Sequence, residues 1–201
     1  TLIDADGNEK ASTIADLRPI ISAKLPVEDP VLWNGRKNPY LYTVRCEIFD
    51  STTQDVTDNI DIRTGLREYH IDSHKGFFLN GEHIKLQGVS RHQDRENMGN
   101  AITEKQHAED IKIILDVGAN SVRLAHYQQN SYFYDLCDES GLLVWAEVPV
   151  ISRFSPKRNE NAEQQLVELI KQNYNHPSIF CWGIENEITI AGSASKKLIT
   201  L

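Results

Sequence analysis

Ser178-Ile179-Phe180-Cys181-Trp182-Gly183-Ile184-Glu185-Asn186-Glu187 is an apolar run that ends in two carboxylates bracketing an amide. Ile179, Phe180, Cys181, Trp182 and Ile184 give the near-continuous hydrophobicity of a strand covered on both faces, as in a parallel sheet under helices. The charges then fall at the strand's C-terminal tip. (β/α) barrels and open α/β sheets carry their chemistry there, because the packed strand holds a side chain in place while the loops vary.

Upstream, strand and helix patterns alternate. Ile84–Val89, Ser121–Leu124 and Leu142–Ala146 read as strands. Glu104–Val117 reads as a helix with Thr103 as N-cap and Gly118 as stop. Tyr132–Glu139, ended by Gly141, and Ala162–Tyr174, carrying Leu166, Leu169 and Ile170, read as two more. The order β-α-β-α-β-α-β predicts a parallel sheet with helices on its faces, and Lys196–Leu201 is expected to begin a fourth helix. A complete eight-unit barrel takes about 250 residues. Only about half that number run from Ile84 to Leu201, so the expectation is strands 1 to 4 of a (β/α)8 TIM barrel.

The first part of the chain reads as all-β. Strand-like runs at Pro19–Leu25, Leu41–Phe49 and Asp58–Ile62 are punctuated by turns at Asp6-Gly7-Asn8, Pro26–Pro30 and Asn34-Gly35. Four or five strands are fewer than the roughly seven of an immunoglobulin-like sandwich, so residues 1–66 are expected to be the C-terminal part of one, and 67–201 the barrel half. Arg67–Ile71 is a further β segment, and Phe78-Leu79-Asn80-Gly81 reads as a hairpin closing onto the barrel.

Composition excludes some functions. A formal charge of -8, from 29 acidic and 21 basic residues, argues against a phosphate-backbone partner, so no nucleic acid is expected. No run of about 18 apolar residues suggests a membrane span, and no signal-like start is present. Cys46, Cys137 and Cys181 are an odd number, and the last two fall inside apolar stretches, so buried reduced thiols are read rather than a disulfide framework; a cytoplasmic setting is favoured over a secreted one.

Each strand is followed by chemically able residues: Arg91-His92, His126-Tyr127, Glu147 and Glu185-Asn186-Glu187. On a barrel these tips share one mouth. His70, His74, His83, His107 and His176 lack such positions and read as surface or hydrogen-bonded residues. Tyr132-Phe133-Tyr134 reads as helix packing. Retaining glycoside hydrolysis needs two carboxyl groups about 5 to 5.5 Å apart on opposite sides of a sugar. Glu185 and Glu187 share one tip and cannot flank a ring, so one partner must come from elsewhere. A rival chemistry is a metal hydrolase using His92, His126 and a carboxylate on zinc or iron, although the His-x-His or His-x-x-x-His spacing is missing. A third reading is a non-catalytic carbohydrate-binding module.

The series Gly76-Phe77-Phe78-Leu79-Asn80-Gly81, Leu86-Gln87-Gly88-Val89-Ser90-Arg91-His92, Gly118 to Tyr127, Tyr134-Asp135-Leu136-Cys137-Asp138, Asn175-His176-Pro177-Ser178 and Asn186-Glu187 resembles glycoside hydrolase family 2, most of all its β-galactosidases. The resemblance covers most of the chain from Leu32-Trp33 onward. It implies a retaining mechanism with Glu187 as general acid/base, Asn186 bonding the sugar 2-hydroxyl, and His92 and His126 contacting the galactosyl unit. Glu147 is expected to orient or bind within the same mouth. β-Glucuronidases and mannosidases of the same family share much of the pattern, while the Arg91-His92-Gln93 run favours galactoside. Glu185 stands where the family commonly has a small residue and is the alternative acid. Larger members place a magnesium-binding carboxylate where this chain has Ile151, so magnesium, which the family resemblance allows, is not expected to be required, and no other cofactor is implied. The resemblance places the nucleophile on a later barrel strand, so this chain alone is expected to be an inactive fragment whose open sheet edges favour association with another copy.

Overall fold

A computed structural model describes residues 1–152 and 159–188. The β-rich first part forms an antiparallel sheet of β1 (Leu2–Ile3), β2 (Glu9–Ala11), β3 (Tyr42–Phe49) and β4 (Val56–Thr64), in the order β2-β1-β3-β4. The Asp6-Gly7-Asn8 turn joins the first two: Asp4 accepts the backbone N–H groups of Asp6 and Asn8. These two short strands carry too few alternating residues to be seen in the sequence. The expected strand at Pro19–Leu25 is absent. Ile20 is 87% exposed, and no neighbouring strand among the described residues pairs with its backbone, without which an extended segment gains little.

A three-stranded sheet of β5 (Tyr69–Asp72), β6 (Gly76–Leu79) and β7 (Glu82–Ile84) follows. The turn between β6 and β7 is Asn80-Gly81 with φ of 49° and 79°, the paired positive values that a two-residue hairpin matching strand twist requires. This hairpin sheet packs Phe77 and Leu79 with Trp33, Leu143 and Phe180 in one buried cluster. The strand expected at Ile84–Val89 is therefore two: β7 ends at Ile84, and β8 (Gly88–Arg91) begins after Lys85–Gln87. Asn120 causes the break, its side chain bonding the Lys85 carbonyl at 2.9 Å and the Gln87 N–H at 2.8 Å in place of a sheet ladder.

From β8 the alternation is as read: α1 (Glu104–Asp116), β9 (Ser121–Leu124), α2 (Ser131–Ser140), β10 (Leu143–Glu147), α3 (Asn159–Asn173) and β11 (Ile179–Gly183). β8, β9, β10 and β11 are parallel neighbours in chain order, the arrangement of four consecutive barrel strands. Thr103 and Gln106 form a capping box at the start of α1, and Gly141 ends α2 in the left-handed conformation. Val122, Leu124, Val144 and Ala146 bury their side chains in one cluster with Ile111, Ile114, Phe133, Cys137 and Leu169 of the helices. The intervening Arg123, Trp145 and Glu147 fall on the opposite, barrel-lumen face by the strand's two-residue period. Each fully buried aliphatic contributes roughly 1.5–3 kcal/mol, and this outer layer fixes the lumen residues. The helix expected at Lys196–Leu201 lies outside the described residues. Of the two thiols in apolar stretches, Cys137 is buried and Cys181 only partly so; Cys46 is exposed, and all three are unpaired.

The sandwich part meets the base of the barrel through polar anchors. Trp33 Nε1 donates to the Asp138 carbonyl at 2.9 Å, Thr64 Oγ1 to Asn175 at 2.9 Å, and the Arg67 guanidinium to the Pro177 and Ile179 carbonyls. Burial lowers the Arg67 pKa from its ordinary value. Even so, the two carbonyls and the adjacent Tyr69 ring, 4.6 Å away, give the cation partners it would lack in an apolar core.

Candidate active site

The barrel mouth is organised by Arg123, a residue inside a strand that no sequence motif singles out. Its Nε donates to Glu147 Oε1 at 2.5 Å, and its Nη2 donates to Asn186 Oδ1 at 2.8 Å. Arg123 belongs to β9, Glu147 to β10, and Asn186 follows β11, so one guanidinium ties three successive strand tips. A guanidinium only donates. The Asn186 side chain must turn its oxygen toward it, leaving the amide –NH2 to donate elsewhere.

Glu147 is 1% exposed. Its second oxygen lies 2.9 Å from His126 Nδ1, so both carboxylate oxygens are engaged and the group orients its two partners. Since Glu147 accepts, His126 carries its proton on Nδ1, and Nε2 is the atom presented to a ligand. The contact of 3.2 Å between Arg123 Nη2 and the same Nδ1 is then a crowding of two donors around one carboxylate. His92 packs edge-on against His126, with ring centroids 5.1 Å apart, and lies 6.0 Å from Tyr127. Tyr127 in turn accepts the Gln93 N–H at 3.0 Å, which holds the loop carrying His92.

Asn186 is also pinned through its backbone. Its N–H donates to the Val150 carbonyl at 2.8 Å and its carbonyl accepts from Ser152 at 2.9 Å, so the segment after β10 and that after β11 form a bridge. Glu187 is exposed and has φ of 57°, a left-handed conformation that a residue with Cβ adopts at some cost. Glu185 accepts the Ile188 N–H at 3.0 Å. His92, His126, Glu147 and Asn186 are thus brought together, with Glu187 next to Asn186 on the same tip.

Beneath His92, Arg91 is buried and pairs with Asp110 at 2.7 Å, contacts His107 Nδ1 at 2.9 Å and lies 3.9 Å over the Phe133 ring. Burial, and then the charge of Arg91, hold the His107 pKa below its usual value, so this histidine is a neutral packing partner. At the other end of β11, Asp135, Asp138 and His176 come close enough to bind a cation. There, however, Asp138 is occupied by His176 Nδ1 at 2.6 Å and by the Ser178 N–H at 3.1 Å, and Arg63 stands 3.3 Å from Asp135. A guanidinium already supplies the positive charge.

The fold is a partial immunoglobulin-like sandwich leading into half of a TIM barrel with an ionisable mouth. Two family models match in tandem: "Glycosyl hydrolases family 2" over residues 2–67 and "Glycosyl hydrolases family 2, TIM barrel domain" over residues 71–201. The chain belongs to glycosyl hydrolase family 2, a family of glycosidases. A β-glucuronidase of Bacteroides fragilis is 44% identical over 177 residues, covering 84% of this chain and 25% of its own length. A β-galactosidase of Thermoanaerobacter pseudethanolicus is 32% identical over 188 residues, covering 91% and 25%. The crystal structure of a putative β-galactosidase from Bacteroides fragilis superposes with a TM-score of 0.89 at 42% identity, over 98% of this chain and 30% of that one. The chain spans about a quarter of the length of these curated relatives.

Proposed function

We propose that the whole protein is a retaining β-glycosidase acting on terminal β-D-glucuronides, with β-D-galactosides as the second reading. The observation that carries the glycosidase reading is the Arg123 junction, which fixes Glu147, His126 and Asn186 around one opening. Glucuronide is put first because the relative 44% identical bears that name. Galactoside stands second on the 42% identical structure titled a putative β-galactosidase.

In this reading Glu187 is the general acid/base. It protonates the glycosidic oxygen as the bond breaks, then takes a proton from the water that resolves the glycosyl-enzyme. The Asn186 –NH2, left over by Arg123, donates to the sugar 2-hydroxyl, a bond that strengthens in the transition state. His126, oriented by Glu147, offers Nε2 to a ring hydroxyl, and His92 closes the same side. Both Glu147 oxygens are bound, so it is unsuited to attack, and the nucleophile is assigned to a barrel strand outside this chain. Residues 1–66 are taken as the sandwich portion and 67–201 as the barrel portion.

The test is hydrolysis of p-nitrophenyl β-D-glucuronide and β-D-galactoside by the whole protein. A kcat/KM at least tenfold higher on the glucuronide supports the first reading, and the reverse ratio selects the second. Activity on neither rejects both.

A further inference from the structure

Glu185 is a second carboxylate on the strand tip that carries Glu187, and nothing in the catalytic scheme uses it. Its carboxylate oxygen accepts the N–H of Ile188, three residues on, at 3.0 Å. Ile188 is buried, so without this bond its N–H would be a desolvated donor among the described residues. The two residues enclosed by the link are Asn186 and Glu187.

Three constraints meet on these two residues. The Asn186 backbone is pinned on both sides by Val150 and Ser152. Its side chain is held by Arg123. Glu187, with φ of 57°, sits in a conformation that persists in a residue with Cβ only where the surroundings over-determine it. The upstream side of Glu187 is fixed by the Asn186 contacts. On its downstream side the Glu185 carboxylate supplies the restraint, by holding Ile188.

We propose that Glu185 is a positioning residue for the general acid/base: its carboxylate, bonded to the Ile188 N–H, closes the turn that keeps Glu187 left-handed beside Asn186 at the strand tip. This rests on the glycosidase reading above; the Ile188 N–H occupies one Glu185 oxygen, Oε2, and the variants below separate a positioning role from that of the acid. An acceptor is required at this position, and a negative charge is not.

The whole protein is compared as wild type, Glu185→Ala, Glu185→Gln and Glu187→Gln on aryl β-glycosides with leaving groups from 2,4-dinitrophenol to phenol. Expected for Glu185→Ala is a ten- to hundredfold fall in kcat on the phenyl glycoside with KM within about twofold, and a much smaller fall on the dinitrophenyl glycoside. Such a skew marks a misplaced acid. Glu185→Gln, whose amide oxygen still accepts, stays within about threefold of wild type. Amide exchange at Ile188 speeds up in Glu185→Ala and not in Glu185→Gln. The proposal is overturned if Glu185→Gln is as impaired as Glu185→Ala and azide restores the alanine variant, since Glu185 is then itself the acid. It is equally overturned if Glu185→Ala matches wild type in rate and in Ile188 exchange. Full activity of Glu187→Gln, or none in wild type, sinks the glycosidase reading instead, and the Ile188 exchange still decides the turn.

Discussion

Replacing Arg123 by methionine removes one cation from three contacts at once. Truncating one partner of a buried ion pair costs about 3–5 kcal/mol, because the remaining charge is stranded. Glu147 is 1% exposed, but the Arg123 side chain is 35% exposed. Water therefore screens that side of the pair, and His126 remains 2.9 Å from the other oxygen. Discounting for both, the loss is about 2–3 kcal/mol. Near 2–4 °C per kcal/mol for a chain of this size, the barrel transition should fall by roughly 4–12 °C. Trp145, whose ring lies 5.9 Å from the guanidinium carbon, makes intrinsic fluorescence a suitable probe. The origin of the loss is tested by adding Glu147→Gln. If the stranded carboxylate is responsible, the double variant is more stable than Arg123→Met alone, a coupling of about 1 kcal/mol or more. An Arg123→Met transition within 1 °C of wild type, or strictly additive effects, would refute the reasoning.

Gly141→Ala is expected to destabilise by at least 2 kcal/mol, roughly, because its φ is 70° and an added Cβ would collide with the Gly35–Arg36 backbone; thermal unfolding checks it. For His107, burial lowers the folded pKa below the ordinary 6.5. The unfolded chain then takes up the proton first, so its contribution is intact above about pH 6.5 and is lost as pH falls from there toward the folded pKa. His107→Gln should flatten the fall in melting temperature between pH 7 and 5. Native thiol labelling should modify exposed Cys46 first and Cys137 only on unfolding, since burial also raises the Cys137 pKa well above its usual value.

Much of the barrel was legible because strands covered on both faces leave unbroken apolar runs, as at Ile179–Gly183, and because Thr103 and Gly141 mark helix ends by local chemistry. Where structure depends on a distant partner, the sequence was mute. Pro19–Leu25 has strand-forming residues and no neighbour, while Leu2–Ile3 is too short to show a period and pairs with β3 all the same. The site was half visible in the same way. His92, His126, Glu147 and Asn186 lie at or just past strand ends, and that position alone singles them out as candidates. Arg123 lies inside a strand, and its one signal is a charge at a lumen-facing place between two buried residues, Val122 and Leu124. The hydrogen bond from Ile188 to Glu185 had no signal, since a carboxylate next to an active tip reads first as chemistry.

The central claim, that Glu187 is the acid/base of a retaining glycosidase, is tested most directly by azide rescue of Glu187→Ala in the whole protein on a 2,4-dinitrophenyl β-glycoside. Without azide, turnover should be slowed at least a hundredfold at the hydrolysis step. With azide the rate should recover and NMR should show a β-glycosyl azide, formed by attack on the glycosyl-enzyme from the face the carboxylate vacated. An α-glycosyl azide, or a Glu187→Ala variant as active as wild type without azide, would contradict the account.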